Sequence, residues 1–491
     1  MKHNITILPL GITVTGDHGH SLLRVLQDAR ILIDAPCGGN GKCGKCQVLL
    51  NGETVSSCKV TVDRDMTITL PYRDQPRILD QGVERATELD PIAAGHLLAF
   101  DIGTTTVVCF LLDENTGAEL ARASMPNPQR IYGADVISRI RAALEGAMES
   151  QTRLIREGMV QLVRQVCQAA QVSLRQIGVV SVVGNPAMQQ LFLGISPKNL
   201  AEVPFSPVFT QAQTQPCGDI LPCCPQALLL TVPDISGYVG ADTLGCVLAA
   251  DLHRSEGISL LVDIGTNGEM VLGNRERMIA CSTAAGPALE GANIRFGIPG
   301  APGAIDHVWL EDGNLRFSVI GGGKPTGICG SGLIDAVAVF LDLGLLNHRG
   351  RIQSPELRDG DRFLPLTEDI WLTQEDIRQV QLAKGAIQAG IRLMAMAMGV
   401  ELTAIRQVLL AGAFGTFLNP ASACRIGLLP PELADRIQAI GNAAGSGARM
   451  LVKSRELLAL SQKLRDKIQC LELANLDAFP KTFARARGFD K

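Results

Sequence analysis

The chain has 491 residues, 45 Lys and Arg against 49 Asp and Glu, and a 46% apolar share. That length exceeds what one core usually organises, and an apolar share of this size with only 19% charged residues excludes a disordered chain or a coiled coil. A net charge of −4 leaves no bulk electrostatic reason to bind nucleic acid or an anionic membrane. The start, MKHNITILPLGITVTGD, alternates like two strands with a turn around Pro9 and Gly11. It lacks the unbroken apolar segment of an export signal. Residues 176–197 and 407–424 carry no charge, but Gly, Asn and Pro inside them suit buried strand–loop–helix structure better than a membrane span. A cytoplasmic protein with reduced or metal-bound thiols is expected.

HSLLRVLQDARI (20–31) reads as an amphipathic helix, and KCQVLLNG and MTITLPY as later strands. Between them lies APCGGNGKCGKCQVLLNGETVSSC, which holds Cys37, Cys43, Cys46 and Cys58, four of the fourteen cysteines, within 22 residues. Three thiolates from one tight loop and a fourth nearby are what an iron–sulfur cluster needs. Gly38, Gly39, Gly41 and Gly44 let the loop take positive φ and turn N–H groups toward sulfur. A zinc site is the alternative, but zinc normally takes paired C-x2-C knuckles and only one such pair exists here. The first gap is one residue longer than in the plant-type 2Fe–2S pattern, and the fourth cysteine is closer. In both respects the segment resembles bacterial fused ferredoxin domains, which implies a β-grasp fold with a 2Fe–2S cluster on these four cysteines.

Residues 73–96 change character, with eight charged residues and two prolines. They suit a linker, with room for a short helix over 78–89. Then LLAFDIGTTTVVCFLLDENTG places Asp101 near the end of an apolar strand, before a turn holding Gly103, Thr104 and Thr105. Free N–H groups, hydroxyls and a carboxylate on a hairpin turn suit phosphate and Mg²⁺. The pattern recurs as LLVDIGTNGEMVLG (260–273), with Asp263, Gly265, Thr266, Asn267 and Gly268, which points to duplicated subdomains. SVVGNPAM (181–188), TAAGPALEGANI (283–294), VLLAGAFGTFLNP (408–420) and GNAAGSGARMLVKS (441–454) follow in order, each a glycine-bearing turn at a strand or helix end.

The ordered set resembles the actin, Hsp70 and sugar-kinase superfamily, whose ATPases are two-lobed and ribonuclease H-like. The resemblance implies phosphate loops at 101–106 and 263–268, an adenosine loop at 411–415, and connecting helices at 181–188 and 441–448. It implies Mg²⁺ on Asp101 and Asp263, adenine beside Gly412, Ala413 and Phe414, and Glu290 reaching the ribose. A ferredoxin domain ahead of this ATPase, with NPQRIYGADVISRI (127–140) and GNPAMQQLFLGISP (184–197), looks like the reductive activators of corrinoid proteins.

That family implies an α/β multidomain chain: a β-grasp ferredoxin domain (1–72), a linker (73–96) and ATPase subdomains at 97–256 and 257–491, the C-terminal helix packing back on the first. In several family members an extra domain is expected between ferredoxin and ATPase, where this chain has only the linker. The implied activity is ATP-dependent transfer of one electron from the 2Fe–2S cluster to cobalt(II) of a corrinoid protein, restoring cobalt(I). A low-potential reductase or ferredoxin would be the donor, and two copies could pair as a homodimer. The alternatives are an activator of a radical 2-hydroxyacyl dehydratase, for which Cys329 in GICGSGLID would be a cluster ligand, and a small-molecule kinase with a fused electron carrier. The seven histidines show no metal-ligand spacing beyond His18 and His20.

Overall fold

The computed structural model describes residues 1–8, 12–29, 31, 33, 35, 37–42, 44–70, 81–83, 85–355, 357–358 and 360–489, without the Ala413 side chain. Strands β1 (Lys2–Leu8) and β2 (Ile12–Asp17), helix α1 (Leu22–Asp28), and strands β3 (Gln47–Leu50), β4 (Glu53–Ser56) and β5 (Met66–Thr69) form the first unit. Its sheet runs β2-β1-β5-β3-β4, with β1 and β5 parallel. The alternation in KHNITIL buries Ile5 and Ile7 against Leu22, Leu23, Val25 and Leu26 of α1. Ser21 caps that helix by accepting from the Arg24 N–H (3.3 Å). This is the β-grasp order, a helix laid across a mixed sheet.

The rest of the chain builds two six-stranded sheets on one plan. The first contains β6 (His96–Ile102), β7 (Thr106–Leu112), β8 (Glu119–Pro126), β9 (Ile177–Gly184), β10 (Gln213–Pro216) and β11 (Leu228–Thr231), in the order β10-β11-β9-β6-β7-β8. Helices α2 (Val136–Ala142), α3 (Met148–Ala170) and α4 (Pro186–Leu193) belong to it, and α5 (Ala241–Ala249) follows. The second sheet starts with β12 (Ser259–Ile264), β13 (Gly268–Gly273) and β14 (Met278–Thr283). A small sheet interrupts it, made of β15 (Ala304–Glu311), β16 (Asn314–Val319) and β17 (Gly327–Ile328), and α6 (Gly330–Asp342) follows. Two short ribbons come next, β18 (Leu357–Arg358) with β19 (Asp361–Arg362), and β20 (Leu364–Pro365) with β21 (Trp371–Leu372), and then α7 (Gln374–Met398).

Strands β22 (Gln407–Ala411), β23 (Ile437–Gly441) and β24 (Ile468–Cys470) complete the order β23-β22-β12-β13-β14-β24. Helices α8 (Gly412–Phe417), α9 (Pro420–Arg425), α10 (Ala443–Lys453), α11 (Arg455–Lys467) and α12 (Phe479–Ala486) end the chain. In each large sheet a central strand pairs antiparallel with the next strand and parallel with a later one: β6 with β7 and β9, β12 with β13 and β22. Both central strands are apolar through their middle, 97–100 and 260–262, as suits strands with helices on both faces. The repeated Asp-Ile-Gly-Thr turn after an apolar strand (101–104 and 263–266) thus marks a duplicated fold. Among the described residues no helix is long and apolar enough to cross a membrane.

The lobes meet through α5 and α10. A Cβ added at Gly447 would stand 2.3 Å from the Gly245 Cα, so only glycine permits that approach. The connecting pair is therefore Ala241–Ala249 with Ala443–Lys453. Residues 181–188, expected to supply the first connecting helix, instead end β9 and open α4, which packs on α3. Helix α11 lies against α5, and its Gln462 and Arg465 reach Ala212 N and the Asp234 carbonyl. The final helix, α12, packs on α7 of the second lobe.

No helix forms in the described part of the linker. Residues 78–80 and 84 of the expected helix lie outside the described residues, and residues 81–83 and 85–90 form no helix and are strapped to the ATPase. Asn442 N–H donates to the Gln81 carbonyl (2.8 Å), Asp90 N–H to the Lys453 carbonyl (2.7 Å), and Val83, Leu89 and Ile92 pack on the interlobe core. Residues 81–95 are thus not free tether.

Candidate nucleotide cleft and cysteine loop

The lobes enclose a cavity of about 330 Å³. Asp101 and Asp263 stand near the carboxyl ends of the central strands β6 and β12, where an open sheet presents its crevice. Gly103, Thr104 and Thr105 from the first hairpin, and Gly265, Thr266 and Asn267 from the second, line the same space. Gly268 does not: it is buried at the start of β13, where its carbonyl accepts from Thr283 Oγ1 (3.2 Å). Phe414 lines the cavity beside Gly330, and a Cβ at Gly412 (φ +80°) would come within 2.6 Å of Asp263 Oδ1. Gly412 therefore makes room for the Asp263 carboxylate. The Ala413 side chain lies outside the described residues.

Two carboxylates that sequence reasoning missed enter the cavity, Asp242 from the first turn of α5 and Glu269 from β13. Burial first, then Asp242 and Asp263, pushes Asp101 up to about 7, although a hydrogen bond from Asn442 opposes the rise. Burial, with Asp263 adding to it, lifts Asp242 to about 7. Burial lifts Asp263 to about 6, and burial with both aspartates holds Glu269 well above the usual carboxylate range. Four carboxylates cannot all ionise there without a cation, and oxygen donors of this kind suit a hard divalent ion. Among the described residues no three such groups already surround one point.

The first hairpin is braced by buried polar groups. Asn127 Nδ2 donates to the Gly103 carbonyl (2.8 Å) and Asn185 Nδ2 to Thr104 Oγ1 (3.2 Å). Arg139, with no exposed surface, donates to the carbonyls of Thr104 and Gly133. Its guanidinium is pushed down to about 9, by burial first and then by Arg130, while Asp135 and Glu290 oppose that. The NPQRIYGADVISRI segment thus supplies, through Asn127 and Arg139, much of the support of the first hairpin.

Glu290 ends a short turn after β14 and reaches between the hairpins. It accepts from Thr105 Oγ1 (3.0 Å) and from Thr266 Oγ1 (2.9 Å). The structure therefore places Glu290 in the cavity, between the two hairpins.

Cys37, Cys46 and Cys58 come together in the β-grasp unit; Cys43 lies outside the described residues. Burial first, then the neighbouring Cys46 and Cys37, pushes the Cys58 thiol up to about 11. Crowded thiols whose ionisation is mutually opposed are relieved by a cation, so this donor set fits an iron–sulfur cluster. Gly38, Gly39, Gly41 and Gly44 all take positive φ (63°, 88°, 72° and 63°), and the wholly buried Ser57 hydroxyl beside Cys58 has no partner. Cys329 is a buried thiol bonded to the Ile305 carbonyl and Ser331.

Comparison with known proteins agrees with this layout. A family model of the 2Fe–2S iron–sulfur cluster binding domain matches residues 5–71. The RACo middle region matches 97–255, and the C-terminal domain of RACo, the ASKHA domain, matches 257–491. The first ATPase half is thus the stretch that the family counts as its middle region. The corrinoid activation enzyme RamQ of Eubacterium limosum is 36% identical over 410 residues, 79% of this chain and 69% of that protein. The Co(II) methylated amine-specific corrinoid protein reductase of Methanosarcina barkeri is 26% identical over 423 residues, 77% and 73% of the two chains. A solved reductive activator for corrinoid, iron–sulfur protein superposes with a TM-score of 0.74 at 27% identity, over 99% of this chain and 98% of that one.

Proposed function

Because this chain belongs to the family of reductive activators of corrinoid proteins, we propose that it restores inactive corrinoid cobalt(II) to cobalt(I) in an ATP-dependent step, using one electron from its 2Fe–2S domain. The observation that carries this reading is a two-lobed cleft lined by both phosphate hairpins, with the cysteine-bearing domain seated at its rim. A plant-type cluster supplies single electrons near −400 mV. Reducing cobalt(II) from that potential is uphill, so nucleotide must favour one conformation of the complex over another.

The residues divide that work. Asp101 and Asp263, directly or through water, hold Mg²⁺, with Asp242 and Glu269 adding charge around it. Thr104, Thr105, Thr266 and Asn267 bind phosphate oxygens, and Gly412 to Phe414 border the adenine. Cys37, Cys43, Cys46 and Cys58 hold the cluster. The close glycine contact between α5 and α10 is the hinge about which the lobes close. Hydrolysis then releases the corrinoid partner. A low-potential reductase or ferredoxin of the cytoplasm supplies the electron. In stopped-flow reduction of a cobalt(II) corrinoid protein, the cobalt(I) absorbance is expected to develop fully only with ATP. Equal extent without nucleotide would refute the coupling.

A further inference from the structure

The ferredoxin domain touches both ATPase lobes at the mouth of the cleft. Gln27, at the end of α1, donates to the carbonyl of Ile131 in the first lobe. Lys45, which immediately precedes Cys46 in the cysteine loop, donates through Nζ to the carbonyls of Ile294 (2.9 Å) and Gly297 (2.7 Å) in the second. It also lines the nucleotide cavity. The stretch that Lys45 grips begins at Glu290, the residue clamped between the hairpins by Thr105 and Thr266.

That stretch is stiff. A Cβ at Gly291 would stand 2.6 Å from the Ile298 carbonyl oxygen, and one at Gly297 would stand 2.2 Å from the Gly291 carbonyl oxygen. Ile298 N–H donates to the Ile328 carbonyl (3.0 Å) and Ile328 N–H to that of Phe296 (2.8 Å). Gly291, next to Glu290, thus packs directly on Gly297 and Ile298, a short backbone path from the Glu290 carboxylate to the carbonyls that Lys45 grips, while the Ile328 bonds fasten its far end to the lobe.

We propose that Glu290 and Lys45 are the two ends of a nucleotide-operated latch: phosphate takes the Thr105 and Thr266 hydroxyls from the Glu290 carboxylate, residues 290–297 shift, and the ferredoxin domain is released to deliver its electron. Phosphate and carboxylate are both anions and compete for the same two donors, so they cannot share the place. Lys45 is a positioning residue here, and the latch rests on the ATP-dependent reading above. Coupling of this kind is reciprocal: whatever nucleotide takes from docking, docking takes from nucleotide affinity.

The test uses the full-length, cluster-loaded protein with AMP-PNP as probe. Calorimetry reads affinity, hydrogen–deuterium exchange reads residues 22–29 and 291–298, and small-angle scattering reads the overall size. AMP-PNP is expected to raise exchange at both faces and enlarge the radius of gyration. Lys45→Ala should show the enlarged form without nucleotide and bind AMP-PNP about tenfold tighter. Gln27→Ala should move the same way by less, and Lys42→Ala, an exposed lysine of the same loop, should leave both unchanged. A chain that binds no AMP-PNP overturns both the latch and the proposed function. A chain that binds it with exchange and size unmoved, or whose Lys45→Ala form binds it no better, overturns the latch alone.

Discussion

The two Asp-x-Gly-Thr hairpins occupy equivalent places in duplicated lobes, yet they are held differently. The first is fixed from behind by its own lobe: Asn127, Asn185 and Arg139 occupy its carbonyls and one hydroxyl, and Arg139 lies wholly inside the protein. The second leans mainly on itself, with a Gly265 N–H to Asn267 carbonyl bond (2.9 Å), on Thr283, and on Glu290, which also touches the first hairpin. Duplication supplied two copies of one turn, and the packing around them made one an anchor and the other a jaw held by fewer partners from its own lobe. Glu290 joins them.

Three experiments would break or sharpen that contrast. The largest effect is expected where the hairpins are alike. Asp101→Asn and Asp263→Asn should each lower ATP turnover about 10²–10³-fold, since each removes a carboxylate from the cation side of the reacting phosphate. A loss confined to one variant would show that the two do not act as a pair.

The next effect separates them. Arg139→Lys keeps the charge but loses the planar fork, leaving a buried carbonyl unpaired, and should cost about 2–3 kcal/mol in urea unfolding. Thr283→Val removes a single hydroxyl bond behind the second hairpin and should cost about 1 kcal/mol. Equal costs would erase the distinction between anchor and jaw.

The smallest concerns the charge shared by both lobes. Asp242 titrates at about 7 when folded, above its ordinary value of 3.8, so the folded state holds its proton longer than the unfolded chain does. Its contribution to stability is full below about pH 4 and is lost as pH rises through 7. Asn at that position never ionises. In metal-free and nucleotide-free protein, Asp242→Asn should therefore gain about 1 kcal/mol on wild type between about pH 6.3 and about pH 8, read as the difference in melting temperature. A constant difference across that range would show that Asp242 is not ionising in the crowded cleft.

Much of this architecture was legible before any coordinates. The Asp-x-Gly-Thr turns after apolar strands and the four cysteines in 22 residues are short-range patterns, because the chain must bring those groups to one turn or one loop. Asp242, by contrast, sits in GADTLGC, a run no different in composition from an ordinary buried helix, although Gly245 there mirrors the small-residue face of GNAAGSGAR. Glu269 reads as one polar residue in a strand. The 127–140 segment stood out by resemblance, but nothing local says that Arg139 reaches Thr104, 35 positions earlier.

The sequence by itself determined the order of units, the duplicated hairpins and the cysteine set, since each depends on neighbours a few positions apart and on the chemistry of their side chains. The tertiary structure alone decided which carboxylates crowd together, which helices pack between the lobes, that Glu290 bridges the hairpins, and that Lys45 grips carbonyls about 250 positions away. Those outcomes depend on how two lobes and a small domain pack, and packing is set by shape and burial across the whole chain.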